Sequence, residues 1–247
     1  MLKNKVAIIT GGSRGIGNAI ARKFAENGAS LLLVALHKGR LLQAQKEISK
    51  IGVHVEIIYG DIAEPSLSQF IVKKTLKLFG TIDILVNCAG IITRTPFANL
   101  SPKEWHRVIH VNLDGIFYLS QAVLPVLCEK KYGRIINMSS QMARLPHPNA
   151  SPSYEVSKAG ITALTRHLAH HYAKYNICVN AIAPGTIDTD LLKSMPPEAI
   201  KRFKKAIPFQ RLGQPREVAD LALFLASDQS SYVTGATFNI SGGSLMD

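Results

Sequence analysis

Short apolar runs alternate along the chain with longer stretches in which apolar residues recur every three or four positions. The apolar runs cover residues 6–9, 31–34, 55–59, 82–86, 134–138, 178–182 and 237–240. Several are apolar at consecutive positions, as expected of strands covered on both faces. The intervals between them are long enough for crossover helices. In the first interval Ile16, Ile20 and Phe24 fall at helical spacing, and Gly28 follows as the stop. Ser66 and Ser101 stand where N-caps are expected; Pro102 follows the second, and Glu104 completes a capping box. This alternation predicts an α/β fold, a doubly wound parallel sheet with helices on both faces. No linker, charge block or fixed-period repeat divides the chain, so one domain over 1–247 is expected. The least regular stretch, 184–215, carries Pro184, Pro196, Pro197 and Pro208. It predicts a long loop with short helical pieces, with a lid over about 186–214.

Composition narrows the class. Hydrophobic residues make up 47% and charged residues 19%, which excludes a disordered chain. A net charge of +12 points to anionic substrates or acidic partners. No nucleic-acid motif accompanies that charge, so nucleic acid is not expected. Cys88, Cys128 and Cys178 are too scattered for a disulfide framework or zinc ribbon and fit a reducing compartment. No membrane span is expected, since the apolar run near the start, 31–36, falls far short of the roughly 20 residues a span needs. Lys3 and Lys5 precede too short an apolar run for a signal peptide. A cytoplasmic protein is the resulting expectation.

Thr10-Gly11-Gly12-Ser13-Arg14-Gly15-Ile16-Gly17 lies between the first strand and the first helix. Glycines there permit a tight turn and close approach of backbone to a pyrophosphate, and the helix N-terminus offers free N–H groups. The spacing is Gly-x3-Gly-x-Gly. The end of the second strand decides between the two dinucleotides. An acid there would bind the ribose 2′-hydroxyl of NAD. This chain has no acid there and offers Arg14, His37 and Lys38 to a 2′-phosphate instead. NADP(H) is therefore favoured over NAD(H).

Tyr154 and Lys158 are four apart, on one face of a predicted helix. An ammonium beside a phenol favours the phenolate and lowers its pKa. Such a tyrosine exchanges a proton with a substrate oxygen near neutral pH.

The set Thr10-Gly11-x3-Gly15-x-Gly17, Asp61, Asn87-Cys88-Ala89-Gly90, Asn112, Ser140, Tyr154-x3-Lys158, Pro184-Gly185 and Gly242-Gly243 resembles the short-chain dehydrogenase/reductase family over nearly the whole chain. The resemblance implies a single-domain Rossmann fold with a seven-stranded sheet. It implies Tyr154 as the general acid for carbonyl reduction and general base for alcohol oxidation. Lys158 would lower the Tyr154 pKa and bind the nicotinamide ribose. Ser140 would hydrogen-bond the substrate carbonyl, and Asn112 would hold a relay water. Around the cofactor it implies Gly11, Ser13, Gly15, Ile16 and Gly17 at the phosphates, and Asp61 with Ile62 at the adenine. Asn87, Ala89 and Gly90 fall beside the adenosine ribose, and Pro184, Gly185, Ile187 and Thr189 at the nicotinamide. Ser139 competes with Ser140. The latter stands one residue further from Tyr154 than the commonest spacing, which places an inserted residue in 145–152. Cys88 and Ser241 depart from the family pattern, which has Asn and often Asp there.

Within the family the chain most resembles 3-oxoacyl-acyl-carrier-protein reductases, and its basic surplus suits an acidic carrier. Lys131 matches a basic docking position of that subfamily; Tyr175 stands where a second would be Arg, and Arg94 replaces an Asp. The alternative is a sugar-acid or polyol dehydrogenase of the gluconate or deoxygluconate type, with Arg94 or the lid lysines holding a carboxylate. Outside catalysis, the same fold could serve as a dinucleotide-binding regulator, against which the retained Asn112, Ser140, Tyr154 and Lys158 argue. A homotetramer is implied, pairing long helices near 101–127 and 153–175, the first ended or kinked by Pro125. His167, His170 and His171 form no complete ligand set, so no metal is expected. Lys201, Arg202, Lys204 and Lys205 read as a solvated helix face or a docking patch.

Overall fold

Strand β1 (Val6–Thr10) is buried along its whole length and is flanked by two strands that are buried almost throughout. The computed structural model describes residues 1–146, 150–193 and 195–246. Among these, seven parallel strands form one sheet in the order β3-β2-β1-β4-β5-β6-β7. The others are β2 (Ser30–Ala35), β3 (Val55–Tyr59), β4 (Ile84–Asn87), β5 (Gly133–Met138), β6 (Ile177–Pro184) and β7 (Thr237–Ile240).

Alternation along each strand feeds two cores. Ala7 and Ile9 of β1, with Leu31 and Leu33 of β2, pack under α1 (Gly15–Glu26) and α9 (Pro215–Ala226) through Ile20, Phe24, Val218 and Ala222. Ile8, Leu32 and Val34 face the other side. There they meet α3 (Pro65–Phe79), α5 (Gly115–Lys130) and α6 (Pro152–Tyr172) through Ile71, Leu119, Val123 and Leu168. Period two in a strand buried on both faces divides its side chains in this way. The remaining helices are α2 (Lys38–Ser49), α4 (Pro102–Ile109), α7 (Asp190–Lys193) and α8 (Pro197–Ala206).

The chain leaves β1 toward β2 on one side and returns through β4 on the other. The crevice outside the carboxyl ends of β1 and β4 is the switch point at which open α/β sheets bind ligands.

Three expectations about helix ends change. Gly28 does follow the C-cap Asn27 of α1, with φ +89°. The N-cap of α3, however, is Glu64 rather than Ser66. Pro65 takes the first helical position, where its missing N–H costs nothing, and Ser66 falls inside the first turn. Ser101 caps α4 by accepting from Glu104 N at 3.2 Å. Glu104 does not complete the box, because its Oε2 accepts from Thr95 Oγ1 at 2.9 Å. Pro125 does not end α5, which runs through it to Lys130, held by buried Leu124 and Leu127 on either side. The stretch Pro102–Lys130 is long and apolar enough to span a membrane by length and composition, yet over half of its most apolar window is buried inside the protein. Its apolar face serves the sheet.

Between α4 and α5 the helix widens into a π turn at His110–Asp114. The bulge carries Asn112, fully buried. Such bulges re-aim one side chain without breaking the helix.

Candidate active site

A cleft of about 560 Å³ opens at the switch point. Its floor is the glycine loop. Gly11 takes φ +70°, and a Cβ there would come to 3.0 Å of the Ala89 backbone. A Cβ on Gly17 would stand 2.4 Å from Gly11 O. Neither position admits a side chain, so the loop folds tightly enough to present the N-terminus of α1 to the cleft. Thr10 ties this loop to the next strand. Its Oγ1 accepts from Cys88 N at 3.0 Å and Ala89 N at 3.1 Å. Sequence reading places Thr10 at the head of the glycine motif but assigns it no such role.

Ser13, Arg14, Gly15, Ile16, His37, Asp61, Ile62, Ala89 and Gly90 line the same cleft. So do Pro184, Gly185, Ile187 and Thr189. Thr189 Cγ2 lies 3.6 Å from the Cβ position of Gly15, so the turn after β6 meets the glycine loop across the crevice. Two expected residues stand elsewhere. Lys38 opens α2, and its ammonium lies 5.1 Å from the Tyr59 ring centroid rather than at the cleft. Asn87 lies behind the wall, donating to Ser120 Oγ at 3.3 Å and Asn137 Oδ1 at 2.9 Å. Among the residues the sequence did not suggest, Arg107, from the last turn of α4, lines the cleft and pairs with Asp61 at 2.9 Å. An arginine on an amphipathic helix gives no sequence signal of such a partner.

At the other end α6 delivers Tyr154 and Lys158 to the cleft one helical turn apart. The two serine candidates separate here. Ser139 is buried and donates to Lys158 O at 3.0 Å. Ser140 reaches the cleft beside Tyr154, its Oγ accepting from Met142 N at 3.1 Å. The backbone parity of a strand end sends consecutive side chains to opposite faces. The extra residue expected in 145–152 falls partly on 147–149, outside the described residues.

The Tyr154 phenol lies above its ordinary range because burial opposes the phenolate; the neighbouring Ser140 acts the other way without overcoming it. Burial also holds Lys158 down to about 8. The Lys158 ammonium donates to Met138 O at 2.7 Å and stands 5.5 Å from the Tyr154 ring centroid. The expected lowering of the Tyr154 pKa by Lys158 is thus not found in this arrangement. Desolvation outweighs an ammonium turned toward a strand carbonyl. Cys88 lines the cleft beside these groups, its thiol pushed up to about 12 by burial.

Asn112 does not line the cleft. Its amide clasps the backbone of Ile91, accepting from N at 2.8 Å and donating to O at 2.9 Å. It also donates to Ser157 Oγ at 3.1 Å, and Ser157 donates to Tyr154 O at 2.7 Å. One side chain thereby joins the π turn, the loop after β4 and the helix of Tyr154. Ser157 carried no sequence signal.

His167, His170 and His171 are exposed on α6, with ring centroids 4.4 and 5.2 Å apart along the row. Lys201, Arg202, Lys204 and Lys205 are exposed on α8. Lys204 lines a second, smaller cleft with Arg211 and Arg216.

Known proteins share these features. The family model described as enoyl-(acyl carrier protein) reductase matches residues 11–244. A 3α-hydroxysteroid dehydrogenase of Mediterraneibacter gnavus is 38% identical over 244 residues, 98% of this chain and 97% of its own. A 3-oxoacyl-[acyl-carrier-protein] reductase of Chlamydia muridarum is also 38% identical over 244 residues, 98% of each chain. The crystal structure of a putative gluconate dehydrogenase from Agrobacterium tumefaciens superposes with a TM-score of 0.95 at 33% identity, covering 100% of this chain and 98% of that one.

Proposed function

The chain belongs to the short-chain dehydrogenase/reductase family, oxidoreductases that work with nicotinamide cofactors, and from that premise we propose that it interconverts a ketone and a secondary alcohol with NADP(H). The observation that carries the reading is that Tyr154 and Lys158, one helical turn apart, share a cleft with Ser140 and the glycine cradle.

Each residue then has a task. The nicotinamide supplies or accepts the hydride when bound. Ser140 orients the carbonyl oxygen by hydrogen bonding. Tyr154 gives that oxygen a proton in reduction and takes it back in oxidation. Lys158 turns from Met138 O toward the ribose hydroxyls and the phenol, where its charge offsets the effect of burial on Tyr154. Asn112 keeps Ile91 and the Tyr154 helix in register, and it anchors the relay water that the family resemblance implies. The glycine loop takes the pyrophosphate, and Asp61, held by Arg107, faces the adenine with Ile62. Arg14 and His37, at a strand end without an acid, receive the 2′-phosphate. Lys38 lies outside that group.

Two substrate classes suit this chemistry. The first is a 3-oxoacyl thioester on an acyl carrier protein, supported by the reductases among the relatives. Of the two docking positions it would use, Lys131 keeps the basic residue and Tyr175 replaces the arginine. The second is a sugar acid or polyol, supported by the gluconate dehydrogenase neighbour and by Arg94 in the cleft wall. The reading includes one domain over 1–247 with a lid at 186–214, a cytoplasmic site of action, and a homotetramer built on the long helices. NADPH consumption with an acetoacetyl thioester, run in parallel with NADH, tests it. Turnover with NADPH alone supports the cofactor choice and the thioester class. An NADH preference overturns the roles given to Arg14 and His37. Silence with both, in a protein that binds NADPH, turns the choice to the sugar-acid and polyol class.

A further inference from the structure

We infer that Arg94 is the receptor for a carboxylate on the substrate, so that the cleft selects hydroxy and oxo acids over uncharged ketones and alcohols. The inference rests on the oxidoreductase reading above and names its substrate class.

Arg94 lines the same cleft as Ser140 and Tyr154. The loop that carries it is fixed on both sides. Thr93 and Ser151 share a hydroxyl hydrogen bond of 2.6 Å, and Ser151 N donates to Thr93 O at 2.9 Å. On the other side Thr95 Oγ1 donates to Glu104 at 2.9 Å. Ser151 caps the helix of Tyr154, whose own N–H donates to Ser151 O at 3.0 Å. Arg94 therefore leaves the backbone between two anchors, one of them on the turn that carries the phenol.

The other cations of the cleft are engaged or belong to its far end. Arg107 pairs with Asp61, and Lys158 donates to Met138 O. Arg14 sits on the glycine loop. The Arg94 guanidinium donates to the thioether of Met195 at 3.6 Å, and among the described residues it joins no ion pair. A thioether is a weak acceptor for a group with five donors in a planar fork. Asp190, an acid on the lid side of the cleft, has an interaction of its own. The surrounding wall is apolar: Met142, Leu192, Met195 and Phe203. A carboxylate entering there meets an exposed fork of matching geometry beside an apolar wall. Met195 belongs to the lid segment, so a ligand that displaces its sulfur from Arg94 also touches the lid. An oxoacyl thioester carries no charge near its carbonyl and leaves the guanidinium unused.

The test is a panel of C4 to C6 hydroxy acids, gluconate among them, each matched to its neutral amide or polyol, with saturating NADP⁺. Wild type, Arg94→Gln and Arg94→Lys are compared, with an acetoacetyl thioester and NADPH as reference. The expected result is that at least one acid exceeds its neutral partner in kcat/KM by about tenfold or more, the range of a charge-assisted hydrogen bond. Arg94→Gln collapses that ratio, mainly through KM, and Arg94→Lys restores part of it. Calorimetric binding of the preferred acid to the NADP⁺ complex weakens in parallel. Thioester turnover without acid preference, or a preference unchanged in Arg94→Gln, overturns the inference and leaves the oxidoreductase reading standing. No turnover of any substrate, in a protein that still binds NADPH, overturns that reading and the inference with it.

Discussion

At the glycine-loop end of the cleft the phosphate cradle is made by backbone, and at the opposite end the wall is made by side chains from four separate segments. The first end needs the absence of side chains at Gly11 and Gly17 and the free N-terminus of α1. All of it comes from residues 10–17. The second end joins the loop after β4, the turn after β5, the start of α6 and the lid. The difference teaches which half of such a site varies. A backbone cradle admits no side chain at Gly11 or Gly17. A wall of side chains changes one residue at a time, and relatives of nearly equal similarity carry names that span steroid, acyl and sugar-acid chemistry.

Substitutions at the two ends sharpen that contrast. The largest effect is expected at Tyr154. Tyr154→Phe lowers kcat by about 10² to 10⁴, the range of general acid catalysis, while NADPH affinity, measured by fluorescence titration, changes little. Full turnover in this variant removes the proton-transfer role.

Next comes the pH dependence of stability in the cofactor-free protein. Burial holds Lys158 at about 8, below the ordinary 10.5. Between those values the unfolded chain carries the proton and the folded chain does not, so stability rises with pH across that window. Tyr154, held above its usual 10, remains protonated in the folded state up to that pH. From pH 8 to 10, wild type is expected to gain about 2 to 3 kcal/mol relative to Lys158→Met, at roughly 1.4 kcal/mol per unit. Urea unfolding of both proteins at four pH values measures it, and a constant difference contradicts a buried, depressed lysine.

At the backbone end, Gly17→Ala places a methyl against Gly11 O. A loss of about 1 to 3 kcal/mol in thermal unfolding is expected, with NADPH affinity falling tenfold or more. An unchanged melting temperature would mean that the loop is not tightly closed. The smallest effect concerns one charge at the cofactor end. Arg14→Ala raises Kd for NADPH about tenfold and leaves Kd for NADH within about twofold, since the lost contact is one exposed charge-assisted bond. Equal losses for both cofactors assign Arg14 to the pyrophosphate instead.

Much was readable before any coordinates. Strand runs at 6–9 and 31–34 became β1 and β2 almost to the residue, because burial on both faces demands uninterrupted apolar residues. The Tyr154–Lys158 pair and the glycine loop were visible because each is a spacing within one turn of helix or one loop. The errors lie where two distant segments compete for one group. Glu104 serves Thr95 rather than its own helix end, and Lys38 lies over Tyr59 rather than in the cleft.

The sequence by itself determined the alternation of strands and helices, the phosphate cradle and the reactive pair on α6. These depend on periods of 2 and 3.6 and on glycine sterics, all local. Only the tertiary structure decided that Ser139 turns to Lys158 O, and that Arg107 holds Asp61. It also decided that Asn112 clasps Ile91 and that Arg94 stands in the cleft wall with a thioether for a partner. Those pairings depend on how loops far apart in the chain close over one another, and packing of the two cores sets that closure.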